Sequence, residues 1–161
     1  MDLVDFRLRS RLKRKENNKF FRRFRKSDSK KLDKSVHLLH EKEFDCIDCL
    51  QCANCCTTTG PLFTDNDINR ISRHLKIKPS VFTQKYLKID EESDYVLKSV
   101  PCTFLLEDNA CSIYEVRPKA CREYPHTDRI RQYQLFDITQ KNVEICPAVF
   151  NIVEALKKEY K

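Results

Sequence analysis

The sequence predicts a small α+β domain of short helices and one β-hairpin, preceded by a basic helical extension. Three observations carry that expectation. Apolar residues recur at helical spacing along most of the chain, and β-prone stretches between residues 95 and 114 interrupt them. Positive charge is concentrated at the N-terminus. Nine cysteines, four of them in Cys49-Leu-Gln-Cys52-Ala-Asn-Cys55-Cys56, offer crosslinks to supplement a modest core. With 161 residues there is room for one domain and a tail, so the expected division is an extension over 1–35 and a cysteine-rich domain over 36–161.

Residues 1–35 hold 14 Lys/Arg against 5 Asp/Glu, a net charge of +9, while the remainder has 17 against 19. The basicity therefore belongs to the extension, and the whole-chain charge of +7 does not mark the domain as a nucleic-acid binder. Val4, Leu8 and Leu12 share one helical face, as do Phe20 and Phe24; Asn17-Asn18 interrupts the run and Ser27-Asp28-Ser29 ends it. This pattern fits a basic amphipathic helix that meets RNA, a ribosome, an acidic protein or an anionic membrane surface. It equally fits a solvated helix packed lightly on the domain.

Leu32, Val36 and Leu39 then predict a short helix delivering the chain to Cys46. His37 and His40 lie about one turn apart on it and, with so many thiols available, read as surface or packing residues. Thr57-Thr58-Thr59-Gly60-Pro61 reads as a loop. Thr64-Asp65-Asn66-Asp67 supplies a cap and first-turn acids for a helix carrying Ile68, Ile71 and Leu75. Lys78-Pro79-Ser80 opens another, with Val81, Phe82 and Tyr86. Tyr95-Val96-Leu97 and Thr103-Phe104-Leu105-Leu106 are β-prone, and a turn at Glu107-Asp108-Asn109-Ala110 predicts a hairpin over residues 102–114. Cys146-Pro147 opens a last helix that buries Val149, Ile152, Val153 and Leu156.

No apolar run approaches the roughly 18 residues that span a bilayer, and the basic N-terminus lacks the apolar stretch of a signal peptide. The expectation is a cytosolic protein, where clustered cysteines hold metal more often than they form disulfides. An odd cysteine count argues the same way. Two-residue gaps let neighbouring sulfurs converge on one ion while backbone amides turn toward sulfur, and here the spacing is iterated through Cys46, Cys49, Cys52 and Cys55. Side chains of consecutive residues diverge, so Cys55 and Cys56 are expected to face two centres or two sides of a polynuclear one. Which distant cysteine joins which centre stays open, as does the choice between zinc and an iron-sulfur cluster. Arg117, Lys119 and Arg122 flank Cys121 and are placed to offset thiolate charge. Tyr114 and Tyr124 read as packing residues, and His126 could replace a thiolate.

Four motifs agree in order and spacing: Cys49-x-x-Cys52-x-x-Cys55-Cys56, Pro101-Cys102-Thr103-Phe104-Leu105, Cys111-Ser112-Ile113-Tyr114, and Arg117-Pro118-Lys119-Ala120-Cys121-Arg122-Glu123-Tyr124-Pro125. Together they resemble the CxxCxxCC cysteine-cluster family, the YkgJ-type zinc- or iron-chelating domain, over residues 46 to about 150. The resemblance implies that Cys49, Cys52, Cys55, Cys56, Cys102, Cys111, Cys121 and Cys146 are metal ligands, with Arg117 and Arg122 beside the bound group. Cys46 is an addition to that set. A similar cysteine-rich region in bacterial flagellin lysine methylases implies a possible metal-dependent part in protein methylation or a redox enzyme. Gly60 is the only glycine, so no Gly-rich turn exists to cradle an adenosine cofactor.

Overall fold

A computed structural model describes residues 2–24 and 29–160. The chain runs α1 (Leu3–Leu12), α2 (Arg14–Phe24), α3 (Ser29–Phe44), α4 (Cys49–Cys52), α5 (Asn54–Thr58), β1 (Leu62–Phe63), α6 (Asp65–His74) and α7 (Pro79–Tyr86). It continues through β2 (Leu87–Ile89), β3 (Tyr95–Leu97), α8 (Lys119–Glu123), α9 (Phe136–Asn142) and α10 (Pro147–Glu159). The architecture is a mostly helical, small α+β fold. It divides into two compact units, one formed by residues 1–52 with 125–161 and the other by residues 53–124.

The first unit is helical. Its core gathers Phe6, Phe20 and Phe21 from the basic segment with Leu32 and Val36 of α3 and Val149, Phe150, Val153 and Leu156 of α10. Phe6 meets Phe150 edge to face at 5.9 Å, and Phe21 meets Phe136 at 5.4 Å. Val4, Leu8 and Leu12 do share a face of α1, but it is the solvent face, at 77%, 59% and 74% exposure. Phe6, on the opposite side, packs inward instead because Phe150 receives its ring. Polar contacts fasten the segment as well: Arg14 forms a bidentate pair with Glu144, and Lys157 reaches Glu16 at 2.6 Å and Asn17 at 2.9 Å. The end of the basic run expected at Ser27-Asp28 lies outside the described residues.

Helices α3 and α10 pack antiparallel, and two side-chain bonds set their register: Ser35 to Glu159 at 2.7 Å and Asn151 to Glu43 at 2.8 Å. Helix α10 starts where expected, with Pro147 in its first turn and Cys146 as its cap. Asp33 accepts the Arg131 and Gln132 N–H groups at 2.7 and 2.8 Å, which fixes the 3-10 turn Gln132–Leu135 ahead of α9.

The second unit packs α6 and α7 on a three-stranded antiparallel sheet of order β1-β3-β2. Leu62 pairs with Val96, and Leu87 pairs with Leu97. Its core holds Phe63, Ile68, Ile71, Phe82, Leu87, Leu97, Phe104 and Ile113. Helix α6 begins with a full capping box between Thr64 and Asp67, and α7 begins with Pro79, as their sequences predict. The hairpin expected over residues 102–114 is reduced to one bridge, Leu105 to Cys111. Its turn forms as read: Leu106 N–H donates to Ala110 O at 2.8 Å, and Asn109 takes a positive φ of 66°. The arms do not pair further because Leu105 and Tyr114 N–H turn back to the carbonyls of Cys102 and Cys111, at 3.0 and 3.1 Å.

Candidate metal centre

In the first unit, Asp48 caps α4 by accepting Leu50 N–H at 2.8 Å, and this turn carries Cys49 and Cys52. Three residues apart on one helical turn, they share a side. Cys146 occupies the cap position of α10. Burial, opposed by the nearby Val149 and Ala148 amides and reinforced by the charges of Cys49 and Cys52, pushes the Cys146 thiol up to about 11. Cys46 lies just beyond α3, its N–H on Glu43 O at 3.2 Å, and is exposed.

In the second unit, α5 carries Cys55 and Cys56 with their sulfurs 3.9 Å apart. That matches the edge of a tetrahedron of thiolates around zinc, about 3.8 Å for metal-sulfur bonds of about 2.3 Å. The same separation also suits ligands of two neighbouring ions, as the divergence of adjacent side chains predicts. Cys102 N–H donates to Cys56 O at 2.7 Å, and the Leu105–Cys111 bridge then brings Cys111 beside the Cys102 turn. Burial raises the Cys102 and Cys111 thiols, and the nearby amides of Phe104 and Leu105 at the first and of Ile113 at the second act in the opposite sense. Cys121 sits on α8, whose first amide, Lys119 N–H, is held by Asp67 Oδ1 at 3.0 Å.

The electrostatics follow from this crowding. Hydrogen bonding to Cys55, burial and the charge of Cys55 drive the Cys56 thiol far above its ordinary value. Burial of its sulfur, then the charges of Cys56, Cys102 and Cys111, push Cys121 up to about 12, although the residue as a whole keeps exposed surface. Arg117 acts in the opposite sense on both Cys111 and Cys121. Its guanidinium also lies 3.9 Å from the Tyr114 ring centroid and donates to Tyr114 O at 2.8 Å. Arg122 is exposed on α8, next to Cys121.

Among the described residues, no three of His, Cys, Asp or Glu already converge as a closed ligand shell. The donor set nevertheless fits a thiophilic metal. Cys55 and Cys56 bring two soft sulfurs within 3.9 Å, and nearby backbone amides and the Arg117 charge work against the burial that raises Cys102, Cys111, Cys121 and Cys146, so thiolate is favoured over thiol once a metal supplies positive charge. The histidines have other contacts: His37 faces Glu41 at 3.3 Å, and His40 bonds Thr127 at 2.8 Å and packs on Phe44. His126 takes a positive φ of 69°, and its carbonyl accepts from Gln132 at 2.9 Å.

A model of the family described as "CxxCxxCC: Putative zinc- or iron-chelating domain" matches residues 48–147, well over half of the chain. The chain belongs to the CxxCxxCC family. The family match spans all eight cysteines from Cys49 to Cys146 and leaves Cys46 and the basic segment outside it. Membership makes this a zinc- or iron-chelating type of domain built on a cysteine cluster. No solved structure matches the chain. Among the described residues, no helix is long and apolar enough to cross a membrane.

Asp67 is a positioning residue that motif reading misses in this CxxCxxCC domain. Its capping role at α6 is legible from Thr64-x-x-Asp67, but its bond to Lys119, 52 residues on, is not. Buried at 1% exposure, its carboxyl would be raised by burial; donors from Thr64, Arg70 and Lys119 outweigh that and hold it below its ordinary range. Arg70, held at 2.6 Å, also donates to Arg117 O at 2.9 Å. This pair therefore anchors the segment that carries Arg117 and Cys121.

Proposed function

We propose that this chain coordinates zinc or an iron-sulfur cluster through the thiolates of Cys49, Cys52, Cys55, Cys56, Cys102, Cys111, Cys121 and Cys146. The observation that carries this reading is the backbone bonding that draws distant cysteines together, with the Cys102 N–H on the Cys56 carbonyl at 2.7 Å and the Leu105–Cys111 bridge returning Cys111 beside the Cys102 turn. Thiols brought together in this way repel one another once ionised, and a bound metal offsets that repulsion. Zinc bound there would hold the fold, whereas a cluster would add electron transfer. Arg117 would offset thiolate charge at Cys111 and Cys121, and Arg122 would do so from the next position on α8. Anaerobic purification with iron, sulfide and zinc analysis tests the reading. Brown protein with stoichiometric sulfide supports a cluster, colourless protein with bound zinc supports the structural version, and metal-free protein from every preparation rejects both.

A second reading, docking of RNA, a ribosome or an acidic protein on the basic segment, is favoured by the exposed Val4-Leu8-Leu12 stripe with Arg7 and Arg11 beside it. Because Phe6, Phe20 and Phe21 belong to the core, the test is charge reversal by Arg7→Glu and Arg11→Glu rather than deletion. Affinity for RNA or an acidic partner that is absent, or unchanged by reversal and by salt, rejects it.

A further inference from the structure

Eight thiolates can hold two ions, and the spacing of the motif leaves open which distant cysteine completes which site. The chain's long-range contacts make that choice. Resting on the metal-binding reading above, we infer that Cys56, Cys102, Cys111 and Cys121 form one four-thiolate centre of their own, and that Cys146 belongs with Cys49 and Cys52 in another.

The first group is connected at every step within the second unit. The Cys102 amide is bonded to the carbonyl of Cys56 at 2.7 Å, so these two residues lie against each other although 46 positions separate them. Leu105 N–H bonds Cys102 O at 3.0 Å, and Leu105 bridges to Cys111, which brings Cys111 back onto the same turn. From there the chain passes through the 3-10 turn Tyr114–Val116 to Arg117 and Lys119, both pinned by the Asp67–Arg70 pair, and reaches Cys121 two residues later. Helix α8, which carries Cys121, packs against β1, the strand that follows Cys56 by a few residues. Cys146 has different surroundings: it lies with Cys49 and Cys52 in the first unit. The antiparallel register of α3 on α10 explains why. Glu43 faces Asn151, so the chain leaving α3 toward Cys49 emerges level with the first turn of α10, where Cys146 is the cap.

Full-length protein stripped of metal and reloaded with zinc alone tests the grouping, since zinc reports which thiolates act together whichever metal the cell supplies. Cys121→Ser and Cys146→Ser should each retain about half of the wild-type zinc. Cys111→Ser with Cys121→Ser should retain as much as Cys121→Ser alone, and Cys121→Ser with Cys146→Ser should retain none. The grouping is overturned if the first double variant loses twice what Cys121→Ser loses, or if the second loses no more than either single. Wild-type protein gives an independent reading where a serine variant does not fold. Zinc titration followed by alkylation and mass spectrometry should protect Cys56, Cys102, Cys111 and Cys121 along one curve, and departure of any one from the other three overturns the grouping. Wild-type protein that takes up neither zinc nor iron with sulfide rejects metal binding itself and the grouping with it; full uptake with the wrong pairs rejects the grouping alone.

Discussion

Replacing Asp67 with asparagine removes one charge and almost no volume from the point where α6 holds the start of α8. Both oxygens of the native carboxylate are in use. Oδ2 accepts the Thr64 N–H at 3.0 Å and hydroxyl at 2.7 Å, and Oδ1 accepts Arg70 at 2.6 Å and Lys119 N–H at 3.0 Å. An amide keeps a single acceptor oxygen, so in either orientation its NH2 faces a backbone donor that then goes unpaired. One orphaned buried donor costs about 1–3 kcal/mol, and loss of charge assistance in the remaining bonds adds about 1 kcal/mol. The expected loss is about 2–4 kcal/mol, below the roughly 3–5 kcal/mol for breaking a fully buried ion pair. Arg70 softens the effect because its side chain is 31% exposed and keeps the Arg117 carbonyl at 2.9 Å. Thermal unfolding followed by far-ultraviolet circular dichroism, at fixed zinc, should show Tm lowered by roughly 4–16 °C for a domain of this size. The pH dependence has a definite sign. The native carboxyl lies below its ordinary range, so its contribution is complete above the unfolded value of about 3.9 and fades as pH falls through the native one. The stability gap between wild type and Asp67→Asn should therefore close in acid. A change in Tm under 2 °C at neutral pH, or a gap that widens in acid, refutes the reasoning.

Phe6→Ala should cost about 3–5 kcal/mol, since it empties a core site against Phe150; urea unfolding checks this, and a loss under 1 kcal/mol means that α1 is not docked. Zinc affinity should rise steeply with pH between about 6 and 8, because thiols raised by burial, Cys121 to about 12 and Cys146 to about 11, must release protons to bind metal. Competition with a chelator of known pH dependence measures that slope, and a flat profile contradicts it. Arg117→Met should weaken zinc binding several-fold at low salt by removing the cation that favours thiolate at Cys111 and Cys121, and the difference should shrink at high salt. Unchanged affinity at low salt would remove Arg117 from the centre.

Local signals in this chain are strong where the determinant lies within a few residues of what it determines. Thr64 with Asp67, Pro79 and Pro147 start α6, α7 and α10 because capping and the fixed φ of proline act on the adjacent turn. The chemistry of the Cys49-to-Cys56 cluster is local in the same way, since thiolate softness and close spacing need no partner to be recognised. The inward face of α1 is different. Helical periodicity brings Val4, Leu8 and Leu12 together, yet Phe6 is buried because Phe150, far along the chain, offers it a ring to pack on. Strand β2 exists because β3 is there to pair with it, and the arms of residues 102–114 stay unpaired beyond one bridge because their amides find nearer carbonyls.

The cysteine ladder divides along the same line. Residue type and spacing alone mark a cysteine cluster suited to a thiophilic metal, because metal preference resides in the sulfur atom itself, whereas the choice of eight ligands from nine cysteines is what the family resemblance implies. The neighbours of each sulfur come only from tertiary structure: the Cys102 amide on the Cys56 carbonyl, Asp67 holding the turn before Cys121, and α10 presenting Cys146 beside the end of α3. Those contacts join residues tens of positions apart, and no periodicity within a window of sequence carries them.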